Sequence, residues 1–269
     1  MIKALLQFAT IATLFFLSWF GLSQIDWKKL FNVKNNTNST EVKIGDMYWD
    51  LISNSEKEIK LNAVTNPLDT LIKKLCTSND IDEKKLKIHI VQKNEINAFA
   101  LPNNHLVVYT GLIESCENEA ELMGVLGHEI AHIQKNHLMK KLVKEAGLAV
   151  LVSTAGGKTG GEVLQKTLKL FTSSSYDRNL EREADITSVD YLIKANIDAE
   201  HFANFLYRLS DEEKNIPQQA YWISTHPESK ERAEDIINYI KNKTIKSDTI
   251  LHPNSWTKFK NIVSELKPK

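Results

Sequence analysis

The sequence predicts an α+β fold: a mainly helical domain with a small, mainly antiparallel sheet beside one buried helix, preceded by one N-terminal membrane helix. Three observations carry that prediction. Between Lys87 and Thr110 three short segments read as strands, whereas most of the chain beyond Ile44 has helical periodicity. A well-capped apolar helix near Asn118 carries His128 and His132, four residues apart. The run from Ala4 to Leu22 holds no charge and is just long enough to cross a bilayer core as a helix.

Taken in order, residues 1–25 read as a membrane anchor or uncleaved signal. The exit Gly21-Leu22-Ser23-Gln24 is a poor cleavage site, and Trp19 and Trp27 bracket it as interfacial residues do. Residues 26–44, with the polar stretch Asn35 to Thr40, read as a linker, and 45–269 as one domain. Met47 to Ile52 and Pro67 to Cys76 are expected helices, the second opening with Pro67 in its first turn. Lys87 to Gln92, Asn97 to Leu101 and Leu106 to Thr110 are expected strands, the last two joined by the turn Pro102 to His105. Asn118 is an N-cap with Glu121 in capping-box spacing, and Leu122, Val125, Leu126 and Ile133 form the apolar stripe that follows. Gly156 to Gly161 reads as a flexible loop; its spacing does not fit a phosphate-binding loop.

Composition excludes some classes. Lys plus Arg equals Asp plus Glu at 34 each, so no net field draws the chain to nucleic acid. Cys76 and Cys116 are too few for a disulfide scaffold and leave open one bridge or two buried thiols.

The chemistry concentrates on His128-Glu129-Ile130-Ala131-His132. Residues four apart lie on one helix face, so the two imidazoles can close on one metal ion. Glu129 follows about 100° around the helix, near the metal but not bound to it, where it can take a proton from water. A catalytic zinc usually takes a third protein ligand. Glu181 is the best candidate. It shares a helix face with Asp185, whose carboxylate can hold the free N–H of a ligating histidine, while Glu183 points away from both. His137 lies off the face of His132 and reads as a hydrogen-bonding residue; His89, His105, His201 and His252 show no partner pattern.

Gly124 to Ile133 with His137, followed by Arg178, Glu181 and Asp185, resembles the peptidase family of the CAAX prenyl endopeptidases, HtpX heat-shock proteases and Oma/BepA-type quality-control proteases. Asn97 to Pro102, Val107 to Leu112, and Thr225-His226-Pro227 with Arg232 agree with it. The chain departs from the family with Asn103-Asn104 at the turn, Ser188 in place of a glycine, and Asp177 in place of a serine. The resemblance implies a gluzincin fold with one zinc per chain on His128, His132 and Glu181, Asp185 behind a ligand, and Glu129 as catalytic base. It makes His226 and Arg232 candidates for oxyanion stabilisation; His226 could instead take zinc's open position and hold the enzyme latent. A polypeptide substrate is expected as an extended strand on Asn97, Ala98, Phe99 and Ala100. The expected function is a membrane-anchored endopeptidase, on the extracytoplasmic side, that acts on unfolded or misassembled proteins. The runner-up is a membrane-tethered zinc protein that binds clients with hydrolysis suppressed.

Overall fold

The computed structural model describes residues 33–147, 153, 161–172, 175–213, 222, 225–244 and 247–266. The expected anchor, 4–22, and nearly all of the glycine-rich loop lie outside them. Among the described residues no helix is long and apolar enough to cross a membrane. Contacts separate Met1–Thr40 from Glu41–Lys269.

The chain order is α1 (Val33–Ser55), α2 (Asn62–Ser78), β1 (Lys87–Val91), β2 (Ala98–Leu101), β3 (His105–Tyr109), α3 (Thr110–Ser115), α4 (Glu119–Gln134), α5 (His137–Ala146), α6 (Gly161–Thr172), α7 (Arg178–Lys194), α8 (Glu200–Glu213), α9 (Ser229–Ile240) and α10 (Pro253–Glu265). Helix α1 takes in residues 33–44 of the stretch expected as a linker, which contain neither Gly nor Pro to stop it. Helix α2 starts at Asn62, ahead of the expected start, so Pro67 lies inside it. The ring removes one main-chain bond there and costs about 3 kcal/mol in an isolated helix. Burial of Val64, Leu68, Leu71, Ile72 and Leu75, at about 1.5–3 kcal/mol each, outweighs that loss.

The sheet is mixed rather than mainly antiparallel. Its order is β1-β3-β2, with β1 parallel and β2 antiparallel to β3. Strand alternation reports which face is buried and is silent on the direction of a neighbour. Asn103 and Asn104 turn the β2–β3 connection with φ of 62° and 60°, the left-handed region that asparagine tolerates.

His89 and His105 do have partners. Glu58, His89, His105 and Asp46 form a hydrogen-bonded chain with every contact at 2.9 Å, and Trp49 stacks on His89 at 3.5 Å. The chain ties β1 and β3 to α1. Burial pushes the His105 imidazole down to about 4, with Lys87 adding to the shift and Asp46 opposing it. Cys76 and Cys116 are free buried thiols.

Helix α4 is the centre of the domain. Asn118 Oδ1 accepts the N–H of Glu121 at 3.0 Å, a cap worth about 1 kcal/mol. The Glu121 carboxylate reaches past the cap to the N–H of Glu117 and pairs with Arg208. Helices α2, α7 and α8 and strand β2 pack around α4, so every residue from Glu119 to Ile133 is buried. Two close approaches need glycine. A Cβ at Gly124 would lie 2.5 Å from Phe202 of α8, and one at Gly127 would lie 2.6 Å from Ser188 Oγ of α7. Ser188 in turn donates to the Gly124 carbonyl at 2.7 Å, which gives the departure from glycine at that position a use.

Two outcomes follow. Gly124→Ala should destabilise the domain by about 1–3 kcal/mol through overpacking against Phe202, read as a lower midpoint in urea. As pH falls from 6.5 towards 4, the unfolded chain binds a proton that folded His105 refuses, so stability drops by up to about 1.4 kcal/mol per pH unit. His105→Gln should remove part of that slope; an unchanged slope would exclude the histidine as its source.

Candidate metal centre

Four side chains from three places in the chain converge. His128 and His132 come from the last turns of α4, Glu181 from the first turn of α7, and His226 from the segment before α9. One donor atom from each lies within 4.8 Å of the others, and all four residues are buried. The Nε2 atoms of His128 and His132 are 3.0 Å apart, and His226 Nδ1 is 3.2 Å from His128 Nε2. Glu181 Oε1 is 3.4 Å from His132 Nε2, and Oε2 is 2.9 Å from His226 Nδ1. The structure thus brings together the three expected ligands and adds His226 as a fourth donor.

The surroundings fix how these rings are held. His128 Nδ1 lies 2.9 Å from Asp185 Oδ1. Arg232 donates to both Asp185 oxygens at 2.7 and 2.8 Å, to the His226 carbonyl at 3.0 Å, and lies 3.1 Å from Glu181 Oε2. Its guanidinium is committed to these partners and is not free to meet an oxyanion, so Arg232 is a positioning residue rather than a catalytic one. Tyr176 stacks on His132 with ring centroids 4.2 Å apart, and Lys141 Nζ sits 3.9 Å from the Tyr176 ring centroid.

Glu129 lies beside the cluster, with its Oε1 3.4 Å from His226 Nε2. Its Oε2 accepts the N–H of Ala100 at 3.1 Å and its Oε1 accepts the indole N–H of Trp222 at 3.2 Å. Ala100 belongs to β2, and the first of these bonds joins that strand to Glu129. Asn97 precedes the strand and pairs its carbonyl with Tyr109, and Phe99 packs edge-on against Tyr109 in the core.

Charge and tautomer both favour a cation here. Burial alone would raise the Glu181 carboxyl, but His226, Arg232 and His128 overcome it and hold the group well below the usual carboxylate range. Asp185 is lowered in the same way by Arg232 and His128 against its burial. Burial drives His132 well below its ordinary value, which keeps it neutral. In the tautomer that carries the proton of His128 and of His132 on Nδ1, two Nε2 lone pairs face each other across 3.0 Å. They repel unless something positive lies between. Nitrogen and carboxylate donors in this number suit a divalent metal such as zinc, so the residues fit one.

The sequence reading missed Trp222 and Tyr176. Trp222 lies four residues before His226, whose N–H donates to its carbonyl, and that spacing was its only signal. Tyr176 is separated from Glu181 by an N-cap, Asp177, and nothing in the sequence ties its ring to His132.

Asp185→Ala would leave Arg232 buried without its main partner. The metal-free protein should lose about 3–5 kcal/mol in urea unfolding; a loss under about 1 kcal/mol, the scale of an exposed pair, would contradict the closed geometry.

Residues 62–240 match the model of peptidase family M48. The chain is 31% identical over 196 residues to the mitochondrial metalloendopeptidase OMA1 of Bos taurus, covering 68% of this chain and 38% of that protein. It is 26% identical over 218 residues to a putative beta-barrel assembly-enhancing protease of Vibrio cholerae, covering 72% and 43%. It is 28% identical over 191 residues to the metalloprotease LoiP of Escherichia coli, covering 68% and 71%. The chain therefore spans less than half the length of two of these relatives. The family match covers more than half of the chain, including both helices of the metal cluster, and the chain belongs to peptidase family M48.

Proposed function

We propose that the chain is a membrane-anchored zinc endopeptidase that hydrolyses peptide bonds of unfolded or misassembled proteins. One observation carries the reading: Glu129 sits between a buried three-ligand site and the outward edge of β2. His128, His132 and Glu181 would hold a zinc ion, which would supply Lewis-acid chemistry towards water and the scissile carbonyl. Glu129 accepts the proton of the attacking water and returns it to the leaving amine. Arg232 and Asp185 hold His128 and Glu181 in place through both steps.

Substrate binds by backbone pairing. Asn97 bonds to β3 through Tyr109, so by alternation the main-chain groups of Ala98 and Ala100 point away from β3. An extended peptide added there gains affinity with little demand on sequence, as a protease of unfolded chains requires. His226 sits in the fourth donor position, which favours the latent role over oxyanion stabilisation, since one ring cannot fill both. Anchoring through residues 4–22, with the domain on the extracytoplasmic side, belongs to this proposal and rests on the apolar run.

The occupied state of Glu129 favours one alternative, a tethered zinc protein that binds clients without cutting them. Glu129→Gln separates the two. An endopeptidase carries one zinc per chain, cleaves casein, loses cleavage on chelation, and falls about 10²–10⁴-fold in the variant with zinc retained. A client-binding protein shows zinc but no cleavage in either form. Wild-type protein purified without zinc would sink both.

A further inference from the structure

We infer that His137, backed by Glu183, is a positioning residue that orients His132 for the metal. The inference rests on the metal-site reading proposed above. His132 directs Nε2 into the cluster and places Nδ1 3.0 Å from His137 Nδ1. The other nitrogen of His137, Nε2, is 3.2 Å from Glu183 Oε2. His137 is fully buried, so these ring contacts are its polar environment.

Proton accounting gives the chain one consistent arrangement. For His132 to present a lone pair at Nε2, its proton must be on Nδ1. That N–H then faces His137 Nδ1, which must accept it. A neutral imidazole carries one N–H, so the His137 proton is on Nε2 and is donated to Glu183. Each gap then holds one proton. Moving the His137 proton to Nδ1 would set two N–H groups head to head across 3.0 Å.

The backbone explains why His137 reaches a ligand that helical spacing puts out of range. Five residues along an unbroken helix is about 140° from alignment. Helix α4 instead ends at Gln134, and Asn136 takes φ of 56°, so α5 restarts at His137 and folds that ring back against the last turn of α4. On α7, Glu181 and Asp185 enter the cluster and Glu183 leaves it to meet His137. One helix therefore supplies a ligand, the direct support of His128 and the remote support of His132. The two supports differ in strength. Asp185 is buried and clamped by Arg232, whereas the Glu183 side chain is 43% exposed and shared with Lys135.

The test is zinc affinity of the full chain, stripped of metal and titrated with zinc against a chromophoric chelator. His137→Phe keeps a ring but removes the acceptor, and should weaken zinc about 10- to 100-fold. His137→Gln restores an acceptor and a donor and should recover most of that loss. Glu183→Ala should weaken zinc about threefold, less than the loss of a whole outer partner. Thermal midpoints of the metal-free variants identify a change that is merely structural. Wild-type affinity in His137→Phe overturns the inference alone; failure of the wild type to take up zinc overturns the metal reading with it. If His137→Phe does not fold, Glu183→Ala and the imidazole ¹⁵N spectrum of the zinc-loaded wild type decide. The expected spectrum has His132 protonated on Nδ1 and His137 on Nε2, and the opposite tautomer at His137 overturns the proposal.

Discussion

Arg232 is the cation on which the two buried carboxylates of α7, Glu181 and Asp185, depend. It reaches two carboxylates and a carbonyl from α9, and its side chain is only 7% exposed. Removing one ion from water into a protein interior costs several kcal/mol even after relaxation. Asp185 and Glu181 are both about 5% exposed, so neither could remain ionised there without an opposing charge. Arg232 supplies that charge while tying α9 to α7, and it also donates to the His226 carbonyl. Site geometry and helix packing are in this sense one interaction.

The same economy explains α4. A helix buried on every side cannot rely on a polar face for solubility, and each polar group it carries must find a protein partner. Glu121 finds Arg208, Glu119 takes the N–H groups of Ile250 and Leu251, and His128 and His132 find Asp185 and His137. Close packing through Gly124 and Gly127 leaves little room for these rings to change rotamer. A rigid pair of imidazoles is what a metal site of defined geometry needs.

Much of this was legible in the sequence because the signals are local. The HExxH spacing, the Asn118 cap, the Glu181/Asp185 pair and the strand segments each depend on neighbours within one or two turns. What escaped depends on long-range placement. The parallel pairing of β1 with β3 brings His89 beside His105, and no local pattern records it. The family resemblance made Arg232 a candidate for oxyanion stabilisation; the packing of α9 on α7 turns it to Asp185 instead. Pro67 suggested a helix start, and the apolar stripe on both sides of it overrode that preference.

The edge of β2 carries the last consequence. Its outward-facing groups come from residues of one parity: Ile96, Ala98 and Ala100. The Ile96 carbonyl already accepts the main-chain N–H of Trp222, and the Ala100 N–H already binds Glu129. Ala98, between them, is fully buried. Trp222 also holds Glu129 through its indole and stacks on His226 at 4.7 Å. A peptide pairing along this edge must therefore displace Trp222 at one end and compete for the Ala100 N–H at the other. The first displacement loosens the ring packed on His226, and the second releases an oxygen of Glu129. Access to the strand and access to the base are coupled by the same two hydrogen bonds, so a chain that can add several residues to the edge would uncover Glu129 where a short one would not.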